Sequence, residues 1–311
     1  MKVLVTCPPM IESFATVAEV FERKGVEVTI PSFTQVVSEE ALISLLPHHD
    51  GWIIGDDEAS RTVVEAGISG RFKAAVKWGV GTDNIDFAAF ADCGVPITNT
   101  PNVFGSEVAD LALGYVIALA RETFQIDSGV RRGQWPKPAG ISLADKTVGL
   151  IGLGDVGKKL LVRLRALEMN VVCYDPSVTV DEWLEDVGTV QDHWPNRVQD
   201  LDFIVVTCSL TKSSYHMIDA RIFSRMKDGV RIVNVGRGGV IDESSLVSAL
   251  ESGKVYSAAL DVFESEPLPL VSRLRDHSKC VFGSHNASNT VDAVRLVNEK
   301  ATRLLLDFLK L

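Results

Sequence analysis

The stretch Thr147–Asp175, TVGLIGLGDVGKKLLVRLRALEMNVVCYD, reads as strand, glycine turn, helix and strand, and no other segment limits the fold so tightly. Val148–Ile151 is a short apolar run, and Gly152, Gly154 and Gly157 give G-x-G-x-x-G spacing at its end. The first glycine permits a sharp turn, the second lets the backbone approach a pyrophosphate, and the third lets the following helix lie close to the strand. Free amides at the helix start, at the positive end of its dipole, then face the phosphates. Val171–Tyr174 forms the next strand and Asp175 ends it, at the place where an acid grips a ribose hydroxyl pair. A glycine triplet alone also occurs in ordinary loops, whereas the complete unit points to a dinucleotide. Asp175 repels a 2′-phosphate, and Pro176 and Ser177 follow where an arginine would welcome one, so NAD is expected over NADP.

A chain of 311 residues is long for a single core, and length alone suggests two domains. Apolar residues make up 46% and charged residues 23%, as in soluble globular proteins. The formal charge of −10 disfavours nucleic acid or an anionic membrane as the main partner, since either would reward a basic face. The start, MKVLVTCPP, is too short for the apolar core of a signal peptide. The longest apolar helical stretch, near Val108–Ala120, contains Asp110 and falls short of a membrane span. Cys7, Cys93, Cys173, Cys208 and Cys280 are odd in number and lack C-x-x-C pairing, so reduced, buried thiols in a cytoplasmic protein are expected.

Along the chain, Lys2–Thr6 begins as a strand, and Ile11, Phe14, Ala15, Ala18 and Phe21 follow at helical spacing until Gly25. Val26–Ile30 is the next strand, Ser38 caps a short helix ending before Pro47, and Gly51–Ile54 and Ala74–Trp78 are further strands. Asp86–Cys93 reads as helix and Val95–Thr98 as a fifth strand. Strands alternating with helices predict a parallel sheet with helices on its faces. The segment Asn99–Asn102, NTPN, breaks the rhythm, and Ser106–Arg121 is a long apolar helix that must bury most of its surface, against the second domain or another subunit. Arg131–Ile141 is a loop leading to the glycine turn. Strands at Phe203–Thr207, Val230–Val235, Ala258–Val262 and Lys279–Phe282 alternate with helical stretches and predict a second doubly wound sheet. The last helix, Ser288–Lys310, has nothing of its own left to pack on and is expected to return to the first domain.

In open α/β sheets ligands sit beyond the carboxyl ends of strands, so residues just after each strand carry the candidate chemistry. Arg237 lies in NVGRGGVID, flanked by Gly236, Gly238 and Gly239, where a planar guanidinium could take a carboxylate bidentately; a surface arginine in a turn is the bland alternative. Asp261 could accept from a carboxamide or serve as a structural cap. Glu266 precedes Pro267 in ESEP, with Glu264 two residues away, and spacing does not choose between them. His285 stands in GSHNAS, and a lone histidine is more often structural than catalytic. His48, His49, His193, His216 and His277 lie in turns or polar segments without metal-ligand spacing, and no zinc site is expected.

Taken in order, GVGTDNID, NTPN, the GLGDVG unit with YDP, NVGRGGVID, LDVFESEP and GSHNAS resemble the D-isomer-specific 2-hydroxyacid dehydrogenases, most closely the phosphoglycerate-dehydrogenase-like branch. The resemblance spans nearly the whole chain. It implies a Rossmann-type NAD-binding domain at 99–287 inserted into a discontinuous, flavodoxin-like substrate domain at 1–98 and 288–311, two doubly wound parallel sheets in all. It carries the family's arginine, glutamate and histidine onto Arg237, Glu266 and His285, and selects Glu266 over Glu264 because the family acid directly precedes proline. Cofactor contacts are then expected at Gly152, Gly154, Asp155, Val156, Gly157, Asp175, Pro176, Thr207, Val235, Gly236, Asp261 and His285. Substrate contacts are expected at Lys77, Gly79, Val80, Gly81 and Arg237, with no metal. A homodimer through the 106–121 helix is also implied. In the implied chemistry Arg237 holds the substrate carboxylate and polarises the 2-oxo group, and His285, paired with Glu266, gives a proton to the developing alkoxide.

The chain also departs from the family pattern. Ser284 stands where the family usually has proline before the histidine, Asn286 follows it, and Ser209 replaces a frequent proline near the adenine site. Gly55, Asp56 and Asp57 stand where phosphoglycerate dehydrogenases often carry an arginine, which weakens the expectation of 3-phosphoglycerate as substrate. Lys77 could still supply a cation for a phosphate or phosphonate. The alternative function is an NAD(H)-sensing, corepressor-like binding protein of the same fold, against which the complete set of Arg237, Glu266 and His285 counts.

Overall fold

The computed structural model describes residues 1–33, 36–178 and 189–311, and the chain divides into two compact units, Met1–Phe104 with Asn289–Leu311, and Gly105–Ser288. In the first unit, β1 (Lys2–Val5), α1 (Pro8–Glu12), α2 (Ala15–Arg23), β2 (Glu27–Thr29), α3 (Glu39–Leu45), β3 (Gly51–Ile54), α4 (Arg61–Ile68), β4 (Ala74–Lys77), α5 (Phe87–Asp92) and β5 (Ile97–Asn99) build one parallel sheet. Its strand order is β2-β1-β3-β4-β5, with the sequence reversing direction next to β1, as in a flavodoxin-like sheet. Leu4, Trp52, Ile54 and Ala75 lie on one face with Leu42, Leu46, Val63 and Phe90, all fully buried.

Serine, serine and aspartate side chains start three of these helices: Ser38, Ser60 and Asp86 each accept from the backbone amide three residues on. The apolar spacing from Ile11 to Phe21 forms two helices rather than one. Ser13 leaves the helical conformation and turns its hydroxyl onto the Pro9 carbonyl, 2.6 Å away. The helix α4 is an addition to the sequence reading, and the fifth strand is displaced to Ile97–Asn99.

The closing helix, Val291–Phe308, lies against β3, β4 and α2 of this unit and buries Val294, Val297, Ala301, Leu305 and Leu306. It also carries the unit's central polar contact. Trp78 Nε1 donates to Asn298 Oδ1 at 2.8 Å, and Asn298 Nδ2 donates to Ser13 Oγ at 2.9 Å and Thr16 Oγ1 at 3.3 Å. Asn298 is fully enclosed, so Asn298→Ala strands the buried Trp78 indole donor, while the Ser13 and Thr16 hydroxyls keep their bonds to the Pro9 and Ser13 carbonyls. The expected cost is ~1–3 kcal/mol, the price of an unsatisfied buried donor, read as a lower urea midpoint at unchanged slope. An unchanged midpoint would show that water replaces the amide.

In the second unit, α6 (Gly105–Arg121) and α7 (Thr123–Arg131) precede β6 (Thr147–Ile151), α8 (Asp155–Ala166), β7 (Asn170–Tyr174), β8 (Thr189–Gln191) and β9 (Phe203–Val206). Then come α9 (Ala220–Arg225), β10 (Val230–Asn234), α10 (Glu243–Glu251), β11 (Val255–Leu260) and β12 (Cys280–Phe282). All strand pairs are parallel in the order β12-β11-β10-β9-β6-β7-β8, so the sheet reverses between β6 and β9. This is a Rossmann-type switch point, and it places the ends of β6, β9 and β10 side by side. The apolar helix α6 is buried through Val108, Ala109, Ala112, Val116 and Leu119 on its own unit, against α8, β10 and β11. The helix α7 and the short strand β8 lie outside the expected strand–helix pattern.

Among the described residues no helix is long and apolar enough to cross a membrane, and no cluster of three or more His, Cys, Asp or Glu could hold a metal. All five cysteines are free.

Candidate active site

The glycine turn follows β6 directly. Gly152 has φ +101°, and a Cβ on Gly157 would fall 2.0 Å from the Gly152 carbonyl oxygen, so the start of α8 rests on the turn itself. Above Gly154 a Cβ would meet nothing within 4 Å, and Gly154 caps α8 without a side-chain bond. The turn is therefore closed beneath and open over the first amides of α8, the shape that a pyrophosphate needs.

Thr207, after β9, braces the turn by donating to the Ile151 and Gly152 carbonyls at 3.1 and 2.9 Å. Asp175, at the end of β7, accepts from Leu153 N at 2.7 Å through one oxygen, and from Ser177 N and Val178 N at 2.8 and 3.1 Å through the other. Its carboxylate is thus aimed back across the turn, where a ribose would lie, with exposed Pro176 beside it. Asp155 and Val156 form the first turn of α8 and are half-buried.

Arg237 follows β10 on a turn that Asn234 clamps. The Asn234 side chain accepts from Gly236 N at 3.0 Å and donates to the Arg237 carbonyl at 3.0 Å. Buried Val235 and Gly236 lead into the turn, and Arg237 itself is half-buried, one guanidinium nitrogen donating to the Gly236 carbonyl at 2.9 Å. Asn234 was not singled out from sequence, although its place at a strand end was a usable signal.

The two glutamates of ESEP separate cleanly. Glu266 Oε2 lies 2.7 Å from His285 Nδ1, and its Oε1 accepts from Phe263 N at 2.9 Å. Since a carboxylate only accepts, Nδ1 carries a proton, and Nε2 is the other ring nitrogen, the one that can exchange a proton with a ligand. Glu264 instead exchanges backbone bonds with Glu243: each carboxylate accepts from the other's amide, at 2.9 and 2.6 Å. It also approaches His216 Nε2 at 2.9 Å, an ion-pair distance without the alignment of a hydrogen bond. Burial, followed by the charges of Glu264 and Glu266, raises the Glu243 carboxyl above its usual range. His216 is half-buried with its ring stacked on Tyr215, not exposed as its polar neighbours suggest.

His285 has φ +55°, a left-handed conformation that costs a non-glycine residue ~1–2 kcal/mol. Asp261 holds it there: its carbonyl accepts from His285 N at 2.7 Å and its carboxylate from Ala287 N at 2.9 Å. That carboxylate is 1% exposed, and its other oxygen is 3.5 Å from Tyr115 OH. The Asp261 carboxylate thus caps the loop that carries His285. Burial and the Asp261 charge push the Tyr115 phenol well above its ordinary range.

The remaining candidates belong to the first unit. Gly79 has φ +106°, and Thr100 ties it down by accepting from Gly79 N at 2.8 Å while donating to its carbonyl at 3.1 Å. Asn99 donates to the Val80 carbonyl at 2.9 Å. The NTPN segment, which interrupts the sequence pattern, therefore braces the Gly79–Gly81 loop. These bonds do not use the Val80 and Gly81 amides, and Val80 is 47% exposed.

Lys77 is 5% exposed, donating to the Trp78 carbonyl at 3.0 Å and to Asp56 at 3.3 Å. Asp56 thus offsets its charge within this unit. Asp57 is fully buried and accepts from Val37 N at 2.7 Å, from Gly55 N at 3.2 Å and from the Thr6 hydroxyl. Burial outweighs these donors and raises its carboxyl above the usual range.

A family model described as "D-isomer specific 2-hydroxyacid dehydrogenase, NAD binding domain" matches residues 113–287. D-3-phosphoglycerate dehydrogenase from Archaeoglobus fulgidus is 35% identical over 298 residues, covering 94% of this chain and 54% of that protein. The chain thus spans about half the length of that relative. Hydroxypyruvate reductase from Thermotoga maritima is 33% identical over 280 residues, 88% of each chain. The apo structure of D-lactate dehydrogenase from Escherichia coli superposes with a TM-score of 0.85 at 26% identity, covering 100% of this chain and 97% of that one.

Proposed function

The chain belongs to the D-isomer-specific 2-hydroxyacid dehydrogenases, and from that premise we propose that it transfers a hydride between NAD(H) and a small D-2-hydroxyacid/2-oxoacid pair. The observation that carries the reading is the 2.7 Å contact between His285 Nδ1 and Glu266, held by Asp261 in the same unit as the Gly152–Gly157 turn and Arg237. NAD, when bound, supplies or accepts the hydride at the 2-carbon. Arg237 binds the carboxylate and polarises the 2-oxo group. His285 gives its Nε2 proton to the oxygen as the carbonyl is reduced and takes it back in oxidation, with Glu266 fixing the ring. In the first unit, the Val80 and Gly81 amides are the donors for an anionic group of the substrate.

The substrate in this proposal carries no phosphate. Among the described residues, Lys77 is already paired with Asp56 and Asp57 is enclosed, which counts against a second anionic group on the substrate. The first unit is the substrate domain and the second the NAD-binding domain, in a cytoplasmic enzyme. It is also proposed to be a homodimer through α6 and the segment after it, because Ile117, Phe124, Val130 and Trp135 leave large apolar surface exposed there.

The test is steady-state NADH and NADPH oxidation with hydroxypyruvate, glyoxylate, phosphohydroxypyruvate and phosphonopyruvate. Turnover is expected with NADH and an unphosphorylated 2-oxoacid, and NADPH should be the poorer cofactor because of Asp175. No turnover with any member of the panel would remove the enzymatic reading, and a preference for phosphohydroxypyruvate would remove the charge argument.

A further inference from the structure

Asp155 opens α8. A carboxylate at a first helical position suits an empty helix, because it offsets the positive end of the dipole. The same charge opposes a pyrophosphate seeking the same amides. A dinucleotide site with this residue must therefore keep the carboxylate away from the amides it stands on.

Both carboxylate oxygens of Asp155 lie against the Cα of Gly105, the first residue of α6. A methyl group built on Gly105 would meet Oδ2 at 2.2 Å and Oδ1 at 2.7 Å. Gly105 is buried, so this contact is enclosed on the α6 side. Lys159, one turn along α8, holds the same group with Nζ 3.2 Å from Oδ1. The space over Gly154 meanwhile stays open, and α8 has no side-chain cap.

We infer that the side chain missing at Gly105 is a berth: it parks the Asp155 carboxylate beside α6, keeps the α8 amides for the cofactor pyrophosphate, and so sets dinucleotide affinity. A β-carbon at residue 105 evicts the flexible carboxylate toward those amides. The inference rests on the NAD reading given above.

The experiment is a double-mutant cycle on the full chain, with NADH affinity measured by fluorescence titration and folding followed by thermal denaturation. Gly105→Ala is expected to weaken NADH binding by ~10-fold when residue 155 is aspartate, and by less than ~2-fold in an Asp155→Asn background, a coupling within the range for contacting residues. Asparagine keeps the shape and removes the charge, so the steric part of Gly105→Ala is common to both arms. Absence of NADH binding by the unmutated chain would defeat the NAD reading itself. With that binding intact, an equal loss in both backgrounds, or no loss with aspartate present, overturns the berth. If Gly105→Ala does not fold, Lys159→Ala replaces it in the same cycle, since it releases the carboxylate from a half-buried position without adding atoms. A loss confined to the aspartate background then supports the berth, and an equal loss in both refutes it.

Discussion

His285→Ala is expected to lower kcat by ~10²–10⁴-fold, the usual contribution of a positioned general acid, while NADH still binds and thermal stability changes little. The reason is geometric. His285 is held at φ +55° by the Asp261 carbonyl, and its ring is set by Glu266 at 2.7 Å, so the imidazole is presented in one orientation rather than sampled. Removing the ring deletes the proton donor without touching the Gly152–Gly157 turn. Arg237→Ala should also depress turnover steeply, but mainly through kcat/KM, because the guanidinium acts on bound substrate. Single-turnover measurement with saturating NADH separates the two, and full turnover in His285→Ala would end the proposed mechanism.

Gly238→Ala should be the most damaging small substitution near the site. A Cβ there would lie 1.8 Å from the Phe263 carbonyl carbon, 2.0 Å from its oxygen and 2.4 Å from Glu264 N. All three are backbone atoms, so no rotamer change relieves the clash, and the Arg237 turn must separate from the segment that carries Glu266. A cost of ~3 kcal/mol or more is expected, at the upper end of overpacking, with turnover falling alongside stability. Gly239→Ala is the control. Its Cβ would meet the Leu210 side chain at 3.3 Å and the Tyr215 ring at 3.5 Å, and groups of that kind can move. A denaturation midpoint for Gly238→Ala equal to that of Gly239→Ala would refute the close approach.

These adjacent glycines show where sequence reading loses resolution. In NVGRGGVID they look alike, as spacers around an arginine, because composition carries no information about what another loop presses against. The ESEP glutamates show the same limit from the side of charge. Spacing leaves them equivalent and resemblance alone favours the one before proline, whereas the reciprocal bonds between Glu264 and Glu243, and the turn of Glu266 toward His285, separate a structural acid from one beside the candidate catalytic histidine. Asp56 and Asp57 form a third case: one answers Lys77, and the other is a fully buried anchor for Thr6 and Val37. The missed helix α4 and the split at Ser13 arise from caps and side-chain-to-backbone bonds, which compete with periodicity over one or two residues.

Sequence by itself determined the alternation of most strands and helices, with α4, α7 and β8 excepted, the two parallel sheets and the dinucleotide turn. Those features follow from local periodicity and from glycine spacing within one strand–turn–helix unit, and they need no distant partner. It also brought Arg237 and His285 forward as residues following strands, and the family resemblance singled out Glu266 over Glu264. Tertiary structure alone decided how they are held: Asn234 clamps the Arg237 turn, Asp261 fixes His285, Thr100 and Asn99 brace the Gly79–Gly81 loop, and Gly105 receives the Asp155 carboxylate. Hydrogen bonds and close contacts between residues far apart in sequence have no period, and they exist only once the sheets have brought the strand ends together.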